Sequence, residues 1–383
     1  MSKLIRVLVV DDSELMRELI CDLLADEPGM CVVGTARDGH EALIKVEELR
    51  PDIITLDVQM PRMDGLATLD AILQQHPTPV IMVSALTQRA AHVTFQALDR
   101  GALDYVPKPE LVSALAGSFR DDLVHKLRNM AGADVKTLLR IRRQRAERTT
   151  PAIAIKPNAI PLDGSPARYR DCCVAIGIST GGPPALSNLF QALTQPLPPI
   201  IVVQHMPAKF TGPFARRLDT LSPLSIKEAE TGDVLRANQV LIAPGGRHLR
   251  LRRQGGQVLV QITEGDPVSG HRPAIDLMMQ DAATAFGSRC LGIIMTGMGH
   301  DGSAGCGAIR DAGGYVLGQD AASSVVYGMN KAAFVAGHVH SQFPLEELPV
   351  QLTTQCQRLF VPQRAATSTG SRSPVNAVCR QSK

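Results

Sequence analysis

The chain has 383 residues, of which 44% are hydrophobic, 20% charged and only 3% aromatic, and it carries a net charge of +3. That length accommodates two or three domains with their own cores. No stretch reaches the apolar length of a membrane span, Met1-Ser2-Lys3 runs into a strand pattern rather than a signal peptide, and so few aromatics argue against a stacking platform for single-stranded nucleic acid. The eight cysteines are scattered, without a C-x-x-C pair or histidines at zinc-finger spacing, which fits buried free thiols in a reduced, cytoplasmic setting. Charge divides the chain. Residues 1–125 hold 11 Lys and Arg against 20 Asp and Glu, a net of −9, whereas residues 126–170 carry +8 and residues 171–383 carry +4.

Residues 1–125 alternate strand and helix signals five times. Short apolar runs at Ile5–Val10, Cys31–Ala36, Ile53–Leu56, Val80–Val83 and Asp104–Val106 read as strands. Helical patterns lie near Ser13–Ala25, Gly39–Leu49, Gly65–Gln75, Gln88–Arg100 and from Leu111 onward. The alternation predicts a doubly wound parallel α/β sheet with its functional groups beyond the carboxyl ends of the strands. Those ends carry Asp11, Asp12, Asp57, Ser84 and Lys108. Three carboxylates converging with one ammonium suit Mg²⁺, since hard cations take oxygen ligands and keep waters.

Val9-Val10-Asp11-Asp12-Ser13, the run Leu56-Asp57 to Asp64-Gly65, Ser84-Ala85 and Lys108-Pro109 together resemble a response-regulator receiver domain, a flavodoxin-like fold, along its whole length. The resemblance implies that Asp57 accepts a phosphoryl group from a phosphohistidine of a partner kinase. It implies that Asp12, Asp57 and the backbone carbonyl of Gln59 hold Mg²⁺, with Asp11 acting through water. Ser84 and Lys108 would engage the phosphoryl group, and Tyr105 would be the aromatic that changes rotamer.

Residues 126–168 form a connector that is first helical and basic, with Arg140 to Arg145 as its densest stretch, and then punctuated by Pro151, Pro157, Pro161 and Pro166. It reads as a solvated linker. No helix-turn-helix or other DNA-reading module follows it, so nucleic acid is not an expected partner.

Residues 169–361 again alternate. Strands are expected at Cys173–Ile176, Ile200–Val203, Val240–Ile242, Leu291–Met295 and Tyr315–Leu317, and helices at Pro184–Leu193, Thr211–Leu221, Ala274–Phe286 and Ser303–Ala312. Leu249–Arg253 and Val258–Ile262 flank Gln254-Gly255-Gly256-Gln257 and read as a β-hairpin inserted in a mainly parallel α/β domain. Residues 362–383 are rich in Ser, Thr and Arg and read as a disordered tail.

The first strand of this domain runs into Gly177-Ile178-Ser179-Thr180-Gly181-Gly182. Gly177-x-Ser179-x-Gly181 has nucleophile-elbow spacing, although a structural turn or a phosphate-binding loop would also use these glycines. His205 follows a buried strand, and Asp301 sits in a Gly-rich turn before a helix. Residues ending adjacent strands of one sheet can meet, so Ser179, His205 and Asp301 could form nucleophile, base and orienter. His271 and His300 compete for the base.

Ile176 to Pro183, Val203-Gln204-His205-Met206-Pro207, Ala243 to His248, His271-Arg272-Pro273-Ala274-Ile275-Asp276 and Thr296 to Gly302 resemble the catalytic domain of the CheB chemotaxis methylesterases. With the receiver, the resemblance spans nearly all of residues 1–350. It implies a phosphorylation-activated serine esterase that demethylates glutamate side chains of methyl-accepting chemotaxis receptors and deamidates receptor glutamines. Its phosphodonor would be the histidine kinase CheA. The backbone N–H of Met298 would stabilise the oxyanion, and hydrolysis would need no cofactor, Mg²⁺ serving phosphorylation alone. Two departures stand out: Ile178 where Ala is usual, and Asn330 where Pro is usual, which would leave the local backbone less constrained.

Overall fold

The computed structural model describes residues 4–109, 116–133, 135, 169 and 171–360. The first domain is a parallel sheet in the order β2-β1-β3-β4-β5, from β1 (Ile5–Val10), β2 (Met30–Ala36), β3 (Ile53–Asp57), β4 (Val80–Ser84) and β5 (Asp104–Pro107). Helices α1 (Glu14–Ala25), α2 (Gly39–Leu49), α3 (Gly65–Gln75), α4 (Gln88–Arg100) and α5 (Ala116–Met130) cover it. Their starts follow from local chemistry. Ser13, Asp38, Asp64 and Thr87 each accept a hydrogen bond from an amide of the first turn, satisfying donors the helix leaves orphaned. The helix expected from Leu111 is described only from Ala116. The basic run to Arg145, the prolines after it and the tail lie outside the described residues.

The second domain contains β6 (Cys173–Ile178), α6 (Gly182–Ala192), β7 (Ile200–Gln204), α7 (Ala208–Leu221), β8 (Ser225–Glu228) and β9 (Gln239–Ile242). The antiparallel hairpin of β10 (His248–Gln254) and β11 (Gln257–Thr263) follows, as expected. Then come α8 (Ile275–Phe286), β12 (Cys290–Ile294), α9 (Ser303–Asp311), β13 (Tyr315–Gln319), α10 (Met329–Val335), β14 (Ser341–Phe343) and α11 (Leu348–Phe360). Seven parallel strands are ordered β14-β13-β12-β6-β7-β9-β8. β6 is flanked by β12 and β7, which the chain reaches in opposite directions. A crevice therefore opens at its carboxyl end, where an open α/β sheet binds its ligand.

The core is built from β-branched and Leu residues whose strands are covered on both faces, hence the continuous apolar runs. None of the described cysteines is in a disulfide, and burial pushes the Cys172 and Cys290 thiols up to about 12, as expected of inert buried sulfurs. No helix of the described residues is long and apolar enough to cross a membrane.

The first domain lies against the second through α4, β5 and α5. Phe95 of α4 meets Phe210 and Phe214 of α7, with ring centroids 6.1 and 5.1 Å apart, and Asp99 pairs with Arg217. These rings belong to one buried cluster that runs through both domains.

Candidate active site

β6 and β7 are adjacent and in register up to Ile178 and Gln204, so Ser179 and His205 leave the sheet side by side, with His205 N–H donating to Ile178 O at 3.1 Å. Asp301 lies beyond β12, on the other side of β6, in the turn before α9. The three residues that the sequence placed at strand ends thus surround one crevice. His205 Nε2 is 2.9 Å from Asp301 Oδ2. A carboxylate can only accept there, so Nε2 carries the hydrogen, and in the neutral ring Nδ1 keeps the lone pair. That Nδ1 is buried and has no hydrogen-bond partner, so it is not bonded to Ser179 Oγ in this state; such bonds are often loose before substrate binds.

Asp301 is only 1% exposed and is held by the amino end of α8: Ile275 N–H donates to Oδ2 at 2.8 Å and Asp276 N–H to Oδ1 at 3.0 Å. Burial opposes its ionisation, but the His205 hydrogen bond and charge and these two amides outweigh burial and hold the carboxyl below its usual range. Asp276 behaves oppositely. Burial and the neighbouring Asp301 push its carboxyl up, although Gly305 N–H donates to it at 2.7 Å.

The structure separates the competing histidines. His300 is exposed, and its backbone carbonyl accepts from Ser303 N–H. His271 stacks face to face on His205, centroids 3.8 Å apart and planes 11° from parallel. Burial and then the His205 charge lower His271 to about 4.

The glycines of the elbow serve packing and turn geometry. Gly181 has φ of +78°, and a Cβ on Gly182 would lie 1.9 Å from Gln204 Oε1. Gly182 N–H donates to Ser179 O at 2.9 Å, so it is taken up by the turn rather than offered to a ligand. Met298 N–H, by contrast, is in no backbone hydrogen bond among the described residues. Sequence reasoning passed over Gln204, whose Nε2 donates to the carbonyls of both Ser179 and His205, at 2.9 and 3.0 Å. A lone amide ending an apolar strand was the available signal. Asn330 is buried and donates to Gln319 O at 2.9 Å and to Ser324 Oγ at 2.8 Å, so side-chain bonds hold the backbone where looseness was expected.

In the first domain, carboxylate oxygens of Asp11, Asp12 and Asp57 lie within 4.8 Å of one another. Lys108 Nζ is 2.8 Å from Asp11 Oδ2 and 2.9 Å from Asp57 Oδ2. Burial drives Asp57 up to about 6 against the pull of Lys108, and Asp11 adds to the rise. Gln59 N–H donates to Asp57 Oδ1 at 3.3 Å. Ser84 Oγ accepts from Thr94 Oγ1 of α4 at 2.8 Å. Tyr105 is buried, stacks on Phe210 of the second domain at 4.8 Å, and its hydroxyl has no partner.

The fold and site define an α/β domain with an acidic cluster and a lysine at its strand ends, joined to an α/β domain with a Ser, His and Asp at one crevice. Comparisons narrow this class. A family model described as CheB methylesterase matches residues 174–352, and one described as response regulator receiver domain matches residues 7–119. The chain is 43% identical over 347 residues to a protein-glutamate methylesterase/protein-glutamine glutaminase of Pyrococcus abyssi, covering 90% of this chain and 92% of that one. It is 43% identical over 359 residues to protein-glutamate methylesterase/protein-glutamine glutaminase 2 of Xanthomonas euvesicatoria, covering 91% and 100%. The crystal structure of the Thermotoga maritima CheB methylesterase catalytic domain matches 48% of this chain and 98% of its own, with 38% identity and a TM-score of 0.47. The chain belongs to the CheB methylesterase family and carries that family's receiver domain.

Proposed function

We propose that the protein hydrolyses methyl esters of glutamate side chains on chemotaxis receptors, and deamidates receptor glutamines, under control of Asp57 phosphorylation by a histidine kinase of the CheA type. The observation that carries this reading is the His205 Nε2–Asp301 Oδ2 bond, which leaves a buried basic Nδ1 beside the turn bearing Ser179. Ser179 Oγ attacks the γ-carbonyl and passes its proton to Nδ1, while Asp301 stabilises the imidazolium. The proton then goes to the departing methoxide, releasing methanol, or to the departing amide, releasing ammonia. Water, deprotonated by the same Nδ1, frees glutamate and Ser179. The Met298 N–H supports the oxyanion. Purified protein and methylated receptor membranes test this: methanol should be released, and its absence would reject the reading.

The carboxylates of Asp11, Asp12 and Asp57 and the Gln59 carbonyl suit Mg²⁺, a hard cation, and Asp11 Oδ2 has a lone pair to spare. When bound, the ion neutralises phosphoryl oxygens. Metal binding needs ionised ligands, so Mg²⁺ affinity should fall about tenfold per pH unit below about 6, where Asp57 protonates. Calorimetric titration at pH 7.5 and 5 checks this; equal affinities would contradict it.

The receiver's position supports restraint. Asn129 Nδ2 of α5 donates to Met298 Sδ at 2.7 Å, and Asp104 of β5 is a hydrogen-bonding neighbour of Thr180, the residue after Ser179. Phosphorylation draws Ser84 and Lys108 towards the phosphoryl group and disturbs Thr94 of α4 and the Tyr105–Phe210 stack, loosening the face that covers the crevice. Coupling of about 1–3 kcal/mol corresponds to roughly 5- to 150-fold activation. A fragment starting near Arg168 should demethylate receptors faster than the unphosphorylated parent, and Asp57→Asn should stay slow with phosphodonor present. A fragment no faster than that parent would remove inhibition from the account.

A further inference from the structure

We infer that His271 is a positioning residue for ester hydrolysis: its flat ring, stacked on His205, holds the base at the tilt that aims Nδ1 at Ser179 and accommodates the charge His205 gains. This rests on the catalytic reading of His205 above. The two rings are 3.8 Å apart and nearly parallel, in van der Waals contact across their faces. The His205 ring has one hydrogen bond, from Nε2 to Asp301. One bond fixes where a ring is hinged but leaves rotation about that bond free. A plate on the open face removes the remaining freedom.

The backbone under His271 is built for such a plate. His271 N–H donates to Val268 O at 2.9 Å and Val268 N–H to His271 O at 3.0 Å, closing a tight loop. Next to it, Arg272 O accepts from Gly246 N–H at 3.0 Å, and Arg272 Nη1 donates to Gly265 O at 2.6 Å. The His271 ring itself has no hydrogen bond among the described residues, so the stack is what its side chain does.

The charged and titratable groups facing His271 are His205, Asp301 and His300; burial, then His205 and His300, lower it to about 4 against the opposing pull of Asp301, so it stays neutral well into the acid range. Neutrality is required by the role. When Nδ1 takes the serine proton, a neutral aromatic face attracts the resulting cation, whereas a second cation at this distance would repel it. A neutral His271 has no acid partner of its own and does not compete for the proton.

The test uses the full-length protein with phosphodonor and methylated receptor membranes, comparing His271→Ala, His271→Asn and His271→Phe. Misplacing a catalytic group by about 1 Å can cost about 100-fold, so Ala and Asn should lower kcat roughly 10- to 100-fold with KM within about twofold. Phe restores a flat neutral plate and should recover kcat to within about fivefold of the parent. Ring-current displacement of the His205 imidazole proton signals should be present in the parent, lost in Ala and Asn, and regained in Phe. Ala or Asn with the parent's unfolding temperature and the parent's kcat would overturn the inference, as would Phe as slow as Ala. A parent that shows the displaced signals yet releases no methanol would overturn the hydrolytic reading, and the role of His271 with it, but not the stack.

Discussion

Ser179→Ala should release methanol at least about 10⁴-fold more slowly than the parent, since removing a nucleophile that acts as a unit with its base costs several orders of magnitude. The fold should be untouched, for a reason visible in the elbow. Ser179 N–H donates to Thr296 O at 3.0 Å, and Ser179 O accepts from Gly182 N–H and from Gln204 Nε2, each at 2.9 Å. All three bonds use backbone atoms of Ser179 and survive truncation to alanine. The hydroxyl is not engaged by His205 Nδ1 in this state, so its loss leaves no new orphan. Thermal unfolding should therefore shift little, and Asp57, in the other domain, should still be phosphorylated by a small-molecule donor. Methanol release at a tenth of the parent rate, from a variant freed of parent contamination, would remove Ser179 from the mechanism.

Most of the fold was legible because its strands are buried on both faces and read as unbroken apolar runs, as in Ile200-Ile201-Val202-Val203. β8 was not, because Ser225-Ile226-Lys227-Glu228 is an edge strand that buries only Ile226 fully and so lacks such a run. β14 is three residues long, below what periodicity can register. The same logic divides the site. The gathering of Ser179, His205 and Asp301 at one crevice was readable because the chain places polar residues at the ends of apolar strands, and the β12-β6-β7 order then brings those ends together. The stack of His271 was not readable. It depends on a loop far from the sheet register, and a sequence reveals which residue types compete for a role but not which ring faces which. Gln204 was hidden for a related reason: its work is to bridge two carbonyls that become neighbours only when β6 pairs with β7.

His205→Gln should likewise fall by about 10³-fold or more, while His300→Gln should keep most of its activity, because His300 is exposed and contributes only its backbone carbonyl to the turn. The sharper test of the assignment is Asp301→Asn. Asp301 Oδ2 accepts from both Ile275 N–H and His205 Nε2, and Oδ1 accepts from Asp276 N–H. An asparagine has one acceptor oxygen and one donor group, so it cannot reproduce this. With its oxygen at the Oδ2 position, its NH₂ faces the Asp276 N–H, two donors in a buried place, at a cost of about 1–3 kcal/mol. With the amide turned over, the NH₂ confronts both Ile275 N–H and His205 Nε2. Nε2 must then give up its hydrogen, Nδ1 takes it, and the lone pair that should receive the serine proton is gone. In triads of this kind the wrong tautomer costs about 10⁴ in kcat. Either orientation leaves two donors facing each other and a less stable enzyme, the first with residual activity and the second nearly dead, and either falls well below the parent. The imidazole nitrogen shifts of His205 distinguish the two orientations by which nitrogen carries the proton. An Asp301→Asn enzyme with parental kcat, beside a slow His300→Gln enzyme, would show that the base is not the histidine that Asp301 holds.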